Sequence, residues 1–115
     1  MACVTQYKAN TSASICVDVT ASIRRVYVRG TTSIPVMTMT VTGAELWQYS
    51  TTSGWVVVMH DDGPPIVGVT SAEYYGTAWP VQFGHVYESC ANVRIAYGSG
   101  VFVDYYAFCS GEYAN

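Results

Sequence analysis

The hydrophobic and polar positions alternate most clearly between Pro35 and Gly68. Met37, Met39 and Val41 interleave with Val36, Thr38 and Thr40; Glu45 to Tyr49 is a mixed aromatic run; Trp55 to Met59 is almost wholly apolar. Turn-forming residues separate the runs: Gly43, then Thr51-Thr52-Ser53-Gly54, then Asp61-Asp62-Gly63. Alternation with a period of two marks a strand with one buried face, and turn clusters between such runs mark hairpins. The pattern predicts an antiparallel meander with strands near 36–42, 44–50 and 55–60. It places Trp55 in the core, with Trp55 and Val57 on opposite faces.

The flanking sequence reads in the same way. Residues 3–8 form a strand and Asn10-Thr11-Ser12 a turn. In 13–20, Ile15, Val17 and Val19 face one side and Cys16, Asp18 and Thr20 the other. Residues 23–29 are a third strand, and Gly30 to Ser33 a loop. After the meander, Pro64-Pro65 interrupts the ladder and 66–70 resumes it. Ser71-Ala72-Glu73 is the one place where a helical turn fits. Trp79 to Tyr87, broken by Pro80 and Gly84, is irregular. Residues 90–97 and 101–109 form a last hairpin across Gly98-Ser99-Gly100. The expectation is an all-β fold: a single-domain antiparallel barrel or sandwich of eight to ten short strands over residues 1–115.

Composition narrows the function classes. The chain has 115 residues, enough for one domain with its own core. Charged residues make up 11%, against ~25% in typical soluble domains, and Lys8 is the single lysine. Such a surface suits an extracellular module or a subunit covered by neighbours. A net charge of −3 argues against nucleic acid, which needs a basic footprint. Arg24, Arg25 and Arg29 read as solvated strand residues. No apolar run approaches the ~20 residues of a membrane helix. The N-terminal residues lack the basic and apolar regions of a signal peptide. The expected setting is a virion or the extracellular space without a visible signal, or else the cytosol.

No reactive constellation stands out. There is no GxSxG elbow, no phosphate-cradling glycine loop and no paired-acid motif. His60-Asp61-Asp62 reads as the start of a hairpin turn, because consecutive strand residues point apart. His85 reads as a surface histidine. Cys3, Cys16, Cys90 and Cys109 have no CxxC spacing, so no metal site is expected. Four cysteines allow three pairings. Cys3–Cys16 and Cys90–Cys109 suit neighbouring strands, and pairing of the two ends or four free thiols are the alternatives. The reading is of a protein without catalytic residues or cofactors. The excess lies in the aromatics, ten Tyr and three Trp. In the doublets Tyr74-Tyr75 and Tyr105-Tyr106 only one ring of each can face inward. Trp47 and Tyr49 share a face as either core or platform.

From Val28 onward the chain resembles the bacterial SH3 (SH3b) family. Val28-Arg29, Ser33, Pro35-Val36, Gly43, Gly54-Trp55, Val58, Asp62-Gly63, Gly68-Val69 and Tyr74-Tyr75 follow that family's order over about residues 26–75, with 1–25 and 76–115 as flanking strands. The loop after Arg29 is short and lacks the family's proline. Pro64-Pro65 lengthens the segment before Gly68, and Val69 replaces a second Trp. The resemblance implies a small barrel that binds cell-wall or other peptides in an aromatic groove.

The sequence supports two readings. One is a structural subunit, such as a phage decoration or tail protein or an extracellular filament subunit. It would self-associate through Tyr-rich surfaces, with the interface expected around Val101 to Phe108. The other is an SH3b-like module that holds a cell-wall peptide, a carbohydrate or a protein on Trp47, Tyr49, Tyr74 and Tyr75.

Overall fold

Alternation becomes burial over much of the structure, a computed structural model that describes residues 3–98 and 100–114. Ten strands follow one another: β1 (Cys3–Lys8), β2 (Thr11–Val19), β3 (Ile23–Thr32), β4 (Met37–Ser50), β5 (Gly54–Asp61), β6 (Ile66–Gly68), β7 (Ser71–Tyr75), β8 (Trp79–Pro80), β9 (His85–Tyr97) and β10 (Val101–Ala114). The all-β expectation holds, and no helix occurs among the described residues.

The strands form two antiparallel sheets, neither closed. The first runs β1-β2-β3, and the outer side of β3 pairs with β7 and then β8. The second runs β10-β9-β4, and the outer side of β4 pairs with β5 along 44–50 and with β6 along 37–39. β5 and β6 are therefore two pieces of one broken edge strand. The expected hairpin turn at Asp61-Asp62-Gly63 is instead that break. Gly63 N donates to Val41 O at 2.9 Å, Asp62 Oδ1 accepts from Gly43 N at 2.7 Å, and Pro64 and Pro65 have no N–H to continue the ladder.

Ile15, Val17, Val26 and Val28 from the first sheet meet Met37, Met39, Val41, Leu46, Val93 and Ile95 from the second in one core. Each fully buried side chain of this size contributes roughly 1.5–3 kcal/mol. Gly30 lies inside β3 rather than in a loop. A Cβ there would sit 2.8 Å from Met39 Sδ, so the second sheet approaches closely where the first has no side chain. Ser71-Ala72-Glu73 is strand rather than helical turn. Ala72 and Tyr74 point inward and their neighbours outward, so a period of two prevails.

Gly43 is a bulge, not a turn. With φ of 58°, Gly43 and Ala44 together oppose Ala91 of β9. The extra residue flips the phase of β4. Met37, Met39 and Val41 are buried before it, Ala44 and Leu46 after it, so the two expected strands 36–42 and 44–50 are one. On the other side of β9, Tyr106 and Ala107 of β10 together oppose Asn92. β9 keeps one phase, with Tyr87, Ser89, Ala91, Val93, Ile95 and Tyr97 all buried. Two bulges thus flank a straight central strand at one level, where each adds local twist.

Both local cysteine pairings are formed. Cys3–Cys16 joins β1 to β2 and Cys90–Cys109 joins β9 to β10, with Cα separations of 4.3 and 4.2 Å. Disulfides persist in oxidising compartments, which agrees with an extracellular or otherwise oxidising setting.

Candidate functional site

The line of bulges divides the outward face of the second sheet into two hollows. Above it lies a hollow of about 300 Å³ lined by Thr40, Thr42, Asn92, Arg94, Asp104 and Tyr106, among others. Arg94 donates to both Asp104 oxygens, at 2.7 and 3.0 Å, and Tyr106 OH donates to Oδ2 at 2.9 Å. Arg94 also lies 4.0 Å from the centre of the Phe102 ring. The guanidinium hydrogen bonds hold the Asp104 carboxyl below its ordinary value, and the hydrogen bond to Asp104 raises the Tyr106 phenol. Donors and acceptors here satisfy one another.

Below the line lies a groove of about 400 Å³ lined by Glu45, Trp47, Trp55, Glu88, Cys90 and Cys109. The phase shift at Gly43 is what brings Glu45, Trp47 and Tyr49 to this outer face. Cross-strand register sets Tyr49 opposite Trp55 and Trp47 opposite Val57, and the Tyr49 and Trp55 rings are 5.3 Å apart. On the other side, Glu88 stands opposite Trp47 and Cys90 opposite Glu45. Aromatic rings on β4 and β5 form one wall, and the disulfide across β9 and β10 lies at the other side. Glu45 meets His60 Nδ1 at 3.2 Å. Glu88 Oε1 lies 3.4 Å from Cys90 Sγ, but a disulfide sulfur carries no proton to donate. Glu88, Cys90 and Cys109 cluster tightly, yet both sulfurs are spent in the disulfide and offer no thiolate to an ion.

No known protein family and no curated protein matches this chain. Its functional reading rests on the geometry of the molecule.

The structure brings together only part of the expected platform. Trp47 and Tyr49 share the groove face. Tyr74 is buried in the core of the first sheet, its ring against Gly63. Tyr75 is on the outer face of that sheet, 4.9 Å from Tyr27 and below Arg25. These four residues therefore do not form one site. In the second doublet Tyr105 is fully buried and Tyr106 is 68% exposed, the split that alternation requires. Tyr105 is thus core rather than interface. The Phe108 side chain and Ser99 lie outside the described residues. Trp55 is 44% exposed, not core, and shares a face with Val57. β5 is an edge strand, and Trp55 and Val57 are on the face of the second sheet turned away from the first, so both stay wet. Sequence reasoning missed Glu45, Glu88 and Trp55 as groove residues, and the phase change after Gly43 was the available signal for the first.

The same edge is strongly apolar. Trp55, Val56, Val57, Val67 and Val69 are all exposed along β5, β6 and the residue beyond. Among the described residues no strand pairs with the outer side of β5. The β10 edge differs: Lys8 Nζ donates to Asp104 O at 2.8 Å, placing a lysine on an outward carbonyl. No helix among the described residues is long and apolar enough to cross a membrane.

Proposed function

We propose that this chain is a non-catalytic structural subunit that self-associates through the β5 edge, in a virion or an extracellular assembly such as a filament. The observation that carries the reading is the exposed run Trp55-Val56-Val57 on a strand whose outer hydrogen-bonding side is unpaired among the described residues. Strand edges in monomers are normally blunted by lysine, proline or charge. Here those devices lie elsewhere, with Lys8 at the end of β1 donating to a β10 carbonyl and Pro64-Pro65 beyond the end of β5. A low overall charge and two disulfides support the same setting. Antiparallel pairing of β5 with β5 of a second copy about a two-fold axis would place Val56 near its own counterpart. It would join the two second sheets into one. We place the interface on β5 rather than on the last hairpin, because Tyr105 is interior and Lys8 Nζ already donates to the Asp104 carbonyl on the β10 edge.

Sedimentation velocity tests this. The wild-type chain at tens of micromolar should sediment as a dimer or larger species, and Val56→Lys as a monomer. A monomeric wild type overturns the reading.

The lower groove favours a second reading, a binding module of the kind that the SH3b resemblance suggests. Paired aromatic rings over a concave apolar floor with a few polar groups are the usual make-up of a ligand site. This reading does not depend on self-association.

A further inference from the structure

The lower groove carries negative charge that no described cationic side chain neutralises. Glu45 and Glu88 line it, on adjacent strands and two residues apart in register, on the same face. Among the described residues, the only basic group near either is His60, on Glu45. The five cationic side chains are placed elsewhere. Lys8 is on Asp104 O, Arg24 is buried and donates to Thr20 O and Ile23 O, Arg25 pairs with Asp18, and Arg94 pairs with Asp104. Arg29 stands on the outer face of the opposite sheet, across from Ser14. Trp47 and Trp55 add aromatic faces, which attract cations through the ring quadrupole. A carboxylate pair with no Lys or Arg partner among the described residues, set beside indole faces, is complementary to an organic cation and repels an anion.

We propose that this groove receives the cationic end of an arginine or lysine side chain from a peptide segment of a partner. The side chain's stem lies against Trp47, Trp55 and the Cys90–Cys109 disulfide, and its charged head reaches Glu45 and Glu88. A guanidinium presents a fork of N–H donors that two carboxylates can share while its plane stacks on an indole. A neutral polar ligand would use the rings but would leave the carboxylate charge without a counterpart. The inference rests on the binding-module reading above and adds the ligand's charge to it.

The test uses the full chain with both disulfides intact and follows the three tryptophan indole N–H signals by NMR. The probes are acetyl-Gly-Arg-Gly-amide, the same peptide with glutamine in place of arginine, and the neutral disaccharide cellobiose. The arginine peptide should saturably shift the Trp47 and Trp55 signals and leave Trp79, which lies outside the groove, in place. Its affinity should fall at least tenfold in E45Q/E88Q and fall with added salt. The glutamine peptide should bind at least tenfold more weakly. If the glutamine peptide or cellobiose shifts the same indoles as strongly, the charge inference is overturned and the binding-module reading stands. If no probe moves them, both fail.

Discussion

Tyr105 joins the ends of two sheets through a hydrogen bond whose direction can be deduced. Its hydroxyl lies 2.6 Å from Thr11 Oγ1 in a buried setting. Thr11 donates its only hydroxyl proton to Lys8 O at 2.8 Å, so Tyr105 must be the donor to Thr11. The two substitutions at this pair should therefore be unequal. Tyr105→Phe removes one neutral hydrogen bond and leaves the Thr11 proton satisfied, at a cost of about 1 kcal/mol. Thr11→Val removes that same bond and also the one that closes the β1–β2 turn, at a cost of about 2 kcal/mol. The Thr11–Tyr105 bond is lost in either single variant, so the double variant should be about as stable as Thr11→Val alone. The cycle should then give a coupling of about 1 kcal/mol. Urea unfolding in the Val56→Lys background separates these terms from mass-action stabilisation by association. A Tyr105→Phe cost above that of Thr11→Val, or strictly additive effects, would refute the deduced donor direction.

Three further outcomes rest on particular contacts. Gly68→Ala would put a Cβ 2.0 Å from Ser71 O, forcing open the crossover between sheets. Its thermal unfolding should show a loss of about 3 kcal/mol or more, whereas Gly54→Ala, with open space but a φ of 68°, should lose about 1 kcal/mol. Replacing Cys90 and Cys109 with serine should cost about 3 kcal/mol in the chain-entropy account, read as a fall in unfolding midpoint, and an unchanged midpoint would contradict it. The Arg94 hydrogen bonds depress the Asp104 pKa below its ordinary value of 3.8. A depressed acid stabilises the fold above the ordinary value, and that stability is lost as pH falls through the lower folded value. An acid titration of the unfolding midpoint should therefore be flatter in Asp104→Asn than in wild type below about pH 4, and superimposable curves would show that Asp104 contributes nothing.

The fold class was legible because alternation is a local signal, and the Tyr doublets were legible because neighbours on a strand must point apart. Gly43 was harder. A glycine between two alternating runs suits a turn or a bulge equally, since both use φ above zero. Only the change from odd to even buried positions between Val41 and Leu46 separates them. Trp55 misled because an apolar run normally signals core, and a run that is apolar at every position does not tell which of its two faces turns toward the partner sheet. Asp62-Gly63 misled similarly: its hydrogen bonds go to Gly43 and Val41, contacts that register alone creates. The groove depends on register in the same sense. Glu45 and Glu88 lie far apart in sequence and become neighbours only because β4 pairs with β9.

Amide hydrogen exchange across a protein dilution series tests self-association at the β5 edge most directly. Amides of residues 54–57 should gain protection as concentration rises from below to above the association midpoint, while the β10 amides of 101–105 keep a constant rate. Concentration-independent exchange at 54–57, or protection that appears at 101–105 instead, would contradict self-association through β5.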